Sequence, residues 1–243
     1  LISHVTCQLV PGGFFGKTYP FMDTESHDSS SLKPAELDEF GQLLDALDLS
    51  MSDEALDAEV ASFPLIVRAT DETGALTGFL FGSLERVGGT PCILWGLGAT
   101  KKGRDAGTVL KNMVGELYRR AAISFPDEDV LVGGRFAQPA SYALLNVLDD
   151  VVPRPKYAPT GEERAWGRRL AKRFGCGASY DDRTFRVAIK GSPTPVLDAR
   201  TVKAGGKAAA EMVGEANPAK GEALIAFGWA MAEQLASGLF VAA

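Results

Sequence analysis

Between Thr100 and Thr108 the chain sets Lys101, Lys102 and Arg104 around Gly103 and Gly107. An apolar run, Cys92 to Leu97, precedes this stretch and an amphipathic run follows it, so it reads as a turn from a strand into the start of a helix. Amides that open a helix have no intrahelical acceptors, and the helix dipole favours negative charge there. Glycine lets backbone come close to an anion, and Lys and Arg side chains add positive charge. The chemistry such a turn can do is to hold an anion. Other reactive types are sparse. His4 and His27 are the only histidines, and Cys7, Cys92 and Cys176 lie far apart with no CxxC. That spacing argues against a zinc site of ordinary ligand spacing and against a disulfide framework. Cys92 lies in an apolar run with no histidine in any motif around it, which makes it a core residue rather than a nucleophile.

The elements that must position the turn follow from periodicity. Ile2 to Val10 reads as a first strand, broken by Pro11-Gly12-Gly13 and followed by an aromatic loop from Phe14 to Phe21 and a polar spacer from Asp28 to Ser31. Leu37, Phe40, Leu43, Leu44 and Leu47 recur at helical spacing, and Ser52 is an N-cap for a second helix through Leu56 and Val60. Pro64 to Thr70, Leu76 to Arg86 and Cys92 to Leu97 then form a three-stranded meander, with turns at Asp71-Glu72-Thr73-Gly74 and Gly88-Gly89. After the basic turn, Val109, Leu110, Met113, Val114, Leu117, Tyr118 and Ala121 share one face of a long helix. Val130 to Val132 resumes a strand that Gly133-Gly134 interrupts. Pro139 to Leu148 reads as a short helix, Arg164 to Phe174 as a basic helix and Thr184 to Ile189 as a strand. Ser192 to Gly206 is linker-like, and Ala223 to Trp229 fits a strand or a helix equally. This order is an α+β pattern with one strand–helix–strand crossover.

The 243 residues carry 46% hydrophobic and 23% charged side chains, enough for a sizeable core. A net charge of −6 argues against a broad nucleic-acid surface, which needs clustered Lys and Arg. No apolar run reaches a membrane span, and the N-terminus lacks the pattern of a signal peptide. The expected setting is therefore cytoplasmic, with reduced thiols and neither nucleic acid nor membrane as partner.

At Lys102-Gly103-Arg104-Asp105-Ala106-Gly107 the chain resembles the GNAT acyltransferases, whose Arg-Gly-x-Gly-x-Gly turn cradles the pyrophosphate of coenzyme A. Lys102 stands for the arginine, Gly103 and Gly107 match, and Asp105 replaces a glycine. The hairpin Asp71 to Arg86, with Gly78-Phe79 after its turn, is similar as well, and the likeness spans roughly Pro64 to Leu148. It implies a GNAT-like, mostly antiparallel mixed sheet flanked by helices. Residues 1–190 would form the acyl-CoA-binding domain, and residues 191–243 a linker and C-terminal element packed on that domain or on a second subunit as a homodimer.

The resemblance also implies acetyl-CoA or another acyl-CoA as cosubstrate, no metal, and a small-molecule or peptide amine as acceptor. Lys102, Gly103, Arg104, Ala106, Gly107 and Thr108 would hold the pyrophosphate. Leu97, Gly98 and Ala99 would present backbone groups to the pantetheine arm, where the family's fourth strand splays from its fifth. Tyr142, on the helix after the fifth strand, would be the acid for the departing thiolate, with Ser141 assisting. Amine acylation also calls for a base. The third meander strand offers none, which leaves Glu85, His4, a water relay or no base at all. Arg164, Arg168, Arg169, Lys172 and Arg173 read as a solvated helix face, or as a hold for an acidic partner or the 3′-phosphate. A non-catalytic acyl-CoA-binding module and a structural protein are the rival readings.

Overall fold

The computed structural model describes residues 23–49, 51–203, 205–238 and 240. The strand expected at Ile2 to Val10, the aromatic loop and His4 lie outside the described residues.

The first described element is one that the composition hides. Asp23–Asp28 is an edge strand, β1, in spite of the polar sequence DTESHD, and its register with β2 (Leu65–Thr70) is what holds it extended. A 3-10 turn at Ser29–Ser31, capped by the Asp28 carboxylate, occupies the expected polar spacer. Helix α1 (Pro34–Asp45) and helix α2 (Asp53–Ser62) follow, and Ser52 caps α2 as its sequence requires. β3 (Leu76–Val87) and β4 (Thr90–Thr100) complete the meander. Helix α3 (Ala106–Ser124) crosses over to β5 (Val130–Phe136), which lies parallel to β4.

β5 runs straight through Gly133-Gly134, a correction to the expected interruption. The reason is packing. A Cβ on Gly133 would sit 3.1 Å from Leu170 Cδ1, and one on Gly134 would sit 3.1 Å from Phe136 Cζ. The expected helix from Pro139 to Leu148 is a four-residue turn, α4 (Pro139–Tyr142), that tightens into 3-10 geometry over Ala143–Val147. Short strand β6 (Asp149–Val152), helix α5 (Gly161–Arg173) and the short pair β7 (Tyr180–Asp181) and β8 (Arg186–Ala188) come next. Helix α6 (Gly206–Val213), strand β9 (Glu222–Ala230) and helix α7 (Ala232–Ala236) close the described chain.

β9 resolves the ambiguity at Ala223 to Trp229 in favour of a strand, and its apolar content follows from its place. The sheet order is β1-β2-β3-β4-β5-β9-β8-β7, with β6 also paired to β9. A strand with neighbours on both edges and cover on both faces loses polar alternation. All these pairings are antiparallel except β4 with β5. Along β3 the pleat sends successive residues to opposite faces. Gly78 meets Val109 and Met113 of α3, whereas Phe79 stacks on Phe40 of α1 at 4.4 Å. α3 therefore covers one face, and α1, α2 and α5 cover the other, with Phe63 against Gly96 and Leu170 against Gly133. No helix among the described residues is long and apolar enough to cross a membrane.

Candidate functional site

β4 and β5 are paired only over Cys92–Trp95 and Leu131–Gly134. Beyond Trp95 the two strands diverge, and β4 continues alone toward the basic turn. That turn is fixed by the Lys101 amide, which donates to Thr77 O at 2.7 Å, and by the Ala106 amide, which donates to Gly103 O at 3.4 Å. Asp105 is the N-cap of α3, and its carboxylate makes no capping hydrogen bond. Its carbonyl accepts from the Val109 amide at 2.9 Å. Among the described residues the Gly107 and Thr108 amides have no hydrogen-bond acceptor, as expected in a first helical turn. Lys101, Lys102 and Arg104 are exposed and make no ion pair with the described residues.

A cavity of ≈ 330 Å³ opens here between the basic turn and the β2–β3 turn. Its cations face acid on the other wall. The Asp71 carboxylate accepts from the Thr73 hydroxyl (2.6 Å) and from the Thr73 and Ala75 amides (2.9 and 3.1 Å). Those Thr73 bonds hold its carboxyl below the usual range. The site is thus a mixed-charge rim around a helix N-terminus.

The diverging ends are not empty. Residues Thr194 to Thr201, expected as linker, thread between them as a buried strap. The Gly98 amide donates to Val196 O (3.2 Å), and Gly98 O accepts from the Asp198 amide (2.7 Å). On the other side the Leu197 amide donates to Arg135 O of β5 (3.4 Å). Val196, Leu197, Asp198 and Ala199 are all buried. The Leu97 amide is also occupied, by the Glu59 carboxylate of α2 at 2.9 Å, and Ala99 lies in the β3 ladder opposite Phe79. The backbone groups of Leu97 and Gly98 that the resemblance assigns to a pantetheine arm are therefore met by the chain itself.

The other expected residues are not brought to this place. Tyr142 is buried, edge-on to Phe136, and its hydroxyl donates to Pro153 O at 2.6 Å. Burial pushes its phenol up to about 12. The hydroxyl thus faces the end of β6, on the far side of β5 and β9 from β4. Ser141 donates to Gln138 O within its own turn. Glu85 pairs with Arg173 at 2.8 Å and accepts from Ser83. It lies opposite Cys92, at the start of β4. From Cys92 to Thr100 is roughly 26 Å of extended strand, so Glu85 and the basic turn lie at opposite ends of β4. Of the basic helix α5, Arg173 is committed to Glu85, Arg168 to Asp182, and Arg169 lies over Trp166. Burial pushes the Cys92 thiol up to about 12 and raises Cys176 as well.

Two buried carboxylates escaped the sequence reading. Glu59 and Arg135 form an ion pair at 3.0 Å with side chains only 7% and 5% exposed. Arg135 lies over Phe174 and Phe63, 5.1 and 6.0 Å from their ring centroids. Its Nε has no partner among the described residues. The signal was present: Glu59 sits on the Leu56–Phe63 face of α2, and Arg135 interrupts the apolar run of β5. The second is Asp198, whose carboxyl is raised by burial, against the pull of Arg200 at 2.9 Å. Arg200 in turn donates to Leu47 O at 2.8 Å and ties the strap to the end of α1. A second cavity, ≈ 360 Å³, lies beside Leu97 between Asp48, Leu49 and Met51 on one side and Pro193 with the strap's leading residues Thr194–Val196 on the other.

Together the mostly antiparallel sheet, the single parallel pair and its divergence before a helix-opening turn define an open, mixed α+β fold flanked by helices. No family model and no curated protein matches the chain. Among solved structures it is similar to the aminoglycoside N-acetyltransferase AAC(6')-Iy in complex with CoA. That likeness has 18% identity and a TM-score of 0.37 over 57% of this chain and 88% of that one. It is also similar to a candidate acetyltransferase from Acinetobacter baylyi ADP1, at 18% identity and a TM-score of 0.39, over 60% of this chain and 88% of that one.

Proposed function

We propose that the chain is an acyl-CoA-dependent acyltransferase acting on an amine. The observation that supports this reading is the divergence of β4 from β5 directly before the basic turn that opens α3. The pyrophosphate half of coenzyme A fits the residues present. The Gly107 and Thr108 amides, with Lys102 and Arg104, would hold it, and the cofactor would supply an activated acyl thioester. The pantetheine half does not fit as the chain stands, because Glu59 and the strap use the backbone groups of Leu97 and Gly98. Direct transfer without a covalent enzyme intermediate is in keeping with the two described cysteines, whose buried thiols resist ionisation. The wall that Asp48, Leu49 and Met51 form beside Leu97 would receive the acceptor. Asp48 is its charged residue, which favours a cationic amine.

Calorimetric titration with acetyl-CoA and free CoA tests the reading. Micromolar binding that Lys102→Ala/Arg104→Ala weakens at least about tenfold is the expected result, since each phosphate contact contributes a charge-assisted hydrogen bond. Folded protein that binds neither ligand would sink it. A second reading, an acyl-CoA-binding module without turnover, draws support from the committed hydroxyl of Tyr142 and the committed carboxylates of Glu85, Glu59 and Asp198. Binding without transfer to any of a panel of amines separates the two.

A further inference from the structure

We propose that the strap from Thr194 to Thr201 is a built-in competitor for the pantetheine arm, so that acyl-CoA binds in full only when the strap leaves the slot between β4 and β5. The inference rests on the acyl-CoA reading above and adds to it a closed resting state.

The slot is lined by the outward backbone groups of the two strands past the point where their ladder ends. Buried backbone N–H and C=O groups must find partners. In this chain the Gly98 amide and carbonyl and the Arg135 carbonyl find them on Val196, Asp198 and Leu197. A pantetheine arm carries two amides, each with one donor and one acceptor, and offers the same kind of partner. Strap and arm are alternatives for one set of groups, and there is no room for both. A Cβ built on Gly98 would already lie 2.9 Å from Leu197 Cδ1.

The strap's attachments are local and polar at its two ends. Thr194 donates through its amide to Pro218 O and through its hydroxyl to Gly221 O, both at 2.8 Å. The Thr201 and Thr100 hydroxyls lie 2.7 Å apart. Between these ends Asp198 is a buried carboxylate whose protonated form burial favours, held by Arg200 alone among the described side chains. Beyond them Gly191 (φ 79°), Gly205 (φ 115°) and Gly206 (φ 67°) adopt backbone that other residues rarely take, and they are positions where the chain can change direction. Val196, Leu197 and Ala199 supply the apolar hold. That hold sets the fraction of open protein, and the apparent affinity for the cofactor falls by that fraction.

The Thr100–Thr201 contact provides a lock. Thr100→Cys/Thr201→Cys places two thiols where the hydroxyls meet, and mass spectrometry and thermal melting establish the crosslink and the fold. Calorimetry then compares oxidised and reduced protein with two probes, CoA and the fragment of CoA that ends at the 5′-diphosphate. The expected result is CoA binding at least about tenfold weaker in the oxidised form, restored by reduction, with the fragment bound alike in both. Leu197→Ala, which loosens the strap, should tighten CoA and leave the fragment unchanged. Equal CoA binding by the oxidised and reduced forms, with the fragment also bound, overturns the competition and leaves the acyl-CoA reading standing. Failure of the reduced protein to bind either probe overturns both.

Discussion

Over Cys92–Trp95, β4 has β3 on one edge and β5 on the other, and its polar backbone is satisfied by regular ladders. Past Trp95 the β3 ladder shifts register and resumes only over Gly98–Thr100, while the Leu97 amide meets a carboxylate and Gly98 a returning strap. The first half is closed by partners that have no other role. The second half is closed by an ion pair and a strap, each drawn from a different element. Where a strand leaves its sheet inside a protein, the groups it strands must be met by ligand or by chain. Here it is chain: Glu59 meets the Leu97 amide and the strap meets Gly98.

The largest way to break that contrast is at Glu59. Glu59→Ala leaves Arg135 buried without its partner and the Leu97 amide without an acceptor. The expected loss is about 3–5 kcal/mol in chemical denaturation. Glu59→Gln, which keeps an acceptor for the Leu97 amide, should lose less. A loss for the alanine variant under about 1 kcal/mol would mean that the diverging end tolerates an open edge. An intermediate effect is expected at Gly98. Its added Cβ would meet Leu197 Cδ1, Leu80 Cδ1 and Phe79 O, all at 2.9 Å, and the last is backbone that cannot yield. Gly98→Ala should cost about 1–3 kcal/mol. Gly134→Ala, in the paired half, meets nothing nearer than 3.1 Å and should cost less. The reverse order would show that the strap yields easily.

The smallest effect sharpens the basic turn's surroundings. The Asp71 carboxyl is held low by Thr73, so its support of the β2–β3 turn is present above the unfolded carboxylate value and is lost as pH falls through the lower folded value. An NMR titration should show Asp71 protonating below a peptide reference, with the Thr73 and Ala75 amide shifts following it. An Asp71 titration at the reference value would remove it as a fixed wall of the cavity.

Much of this architecture can be read from residue types. Ser52 caps α2, and the apolar face from Val109 to Ala121 is buried against the sheet, because capping and amphipathic periodicity are local signals. β1 could not be read, since DTESHD has little strand propensity beyond Thr24 and is held extended by its pairing with β2. The strap was hidden by Pro193, Pro195 and the nearby glycines, which describe a linker equally well. Its burial depends on a gap that two other strands create. The basic turn was legible because it is contiguous. Glu59, Arg135 and Asp198 were not grouped with it, because tertiary structure alone brings charges from three distant elements to one strand end.

The central place of β9 bears on how the polypeptide acquires this shape during synthesis. β5 finds its second neighbour only in β9, and about a hundred residues separate Val130 from its partner Ala230. Until that late segment leaves the ribosome, the meander and α3 can assemble, but β5 presents a bare apolar edge. Such an edge is a template for mispairing with another nascent chain. The newly made protein should therefore depend on chaperones in the interval between β5 and β9, and a ribosome stalled there should hold a soluble half beside an adhesive one.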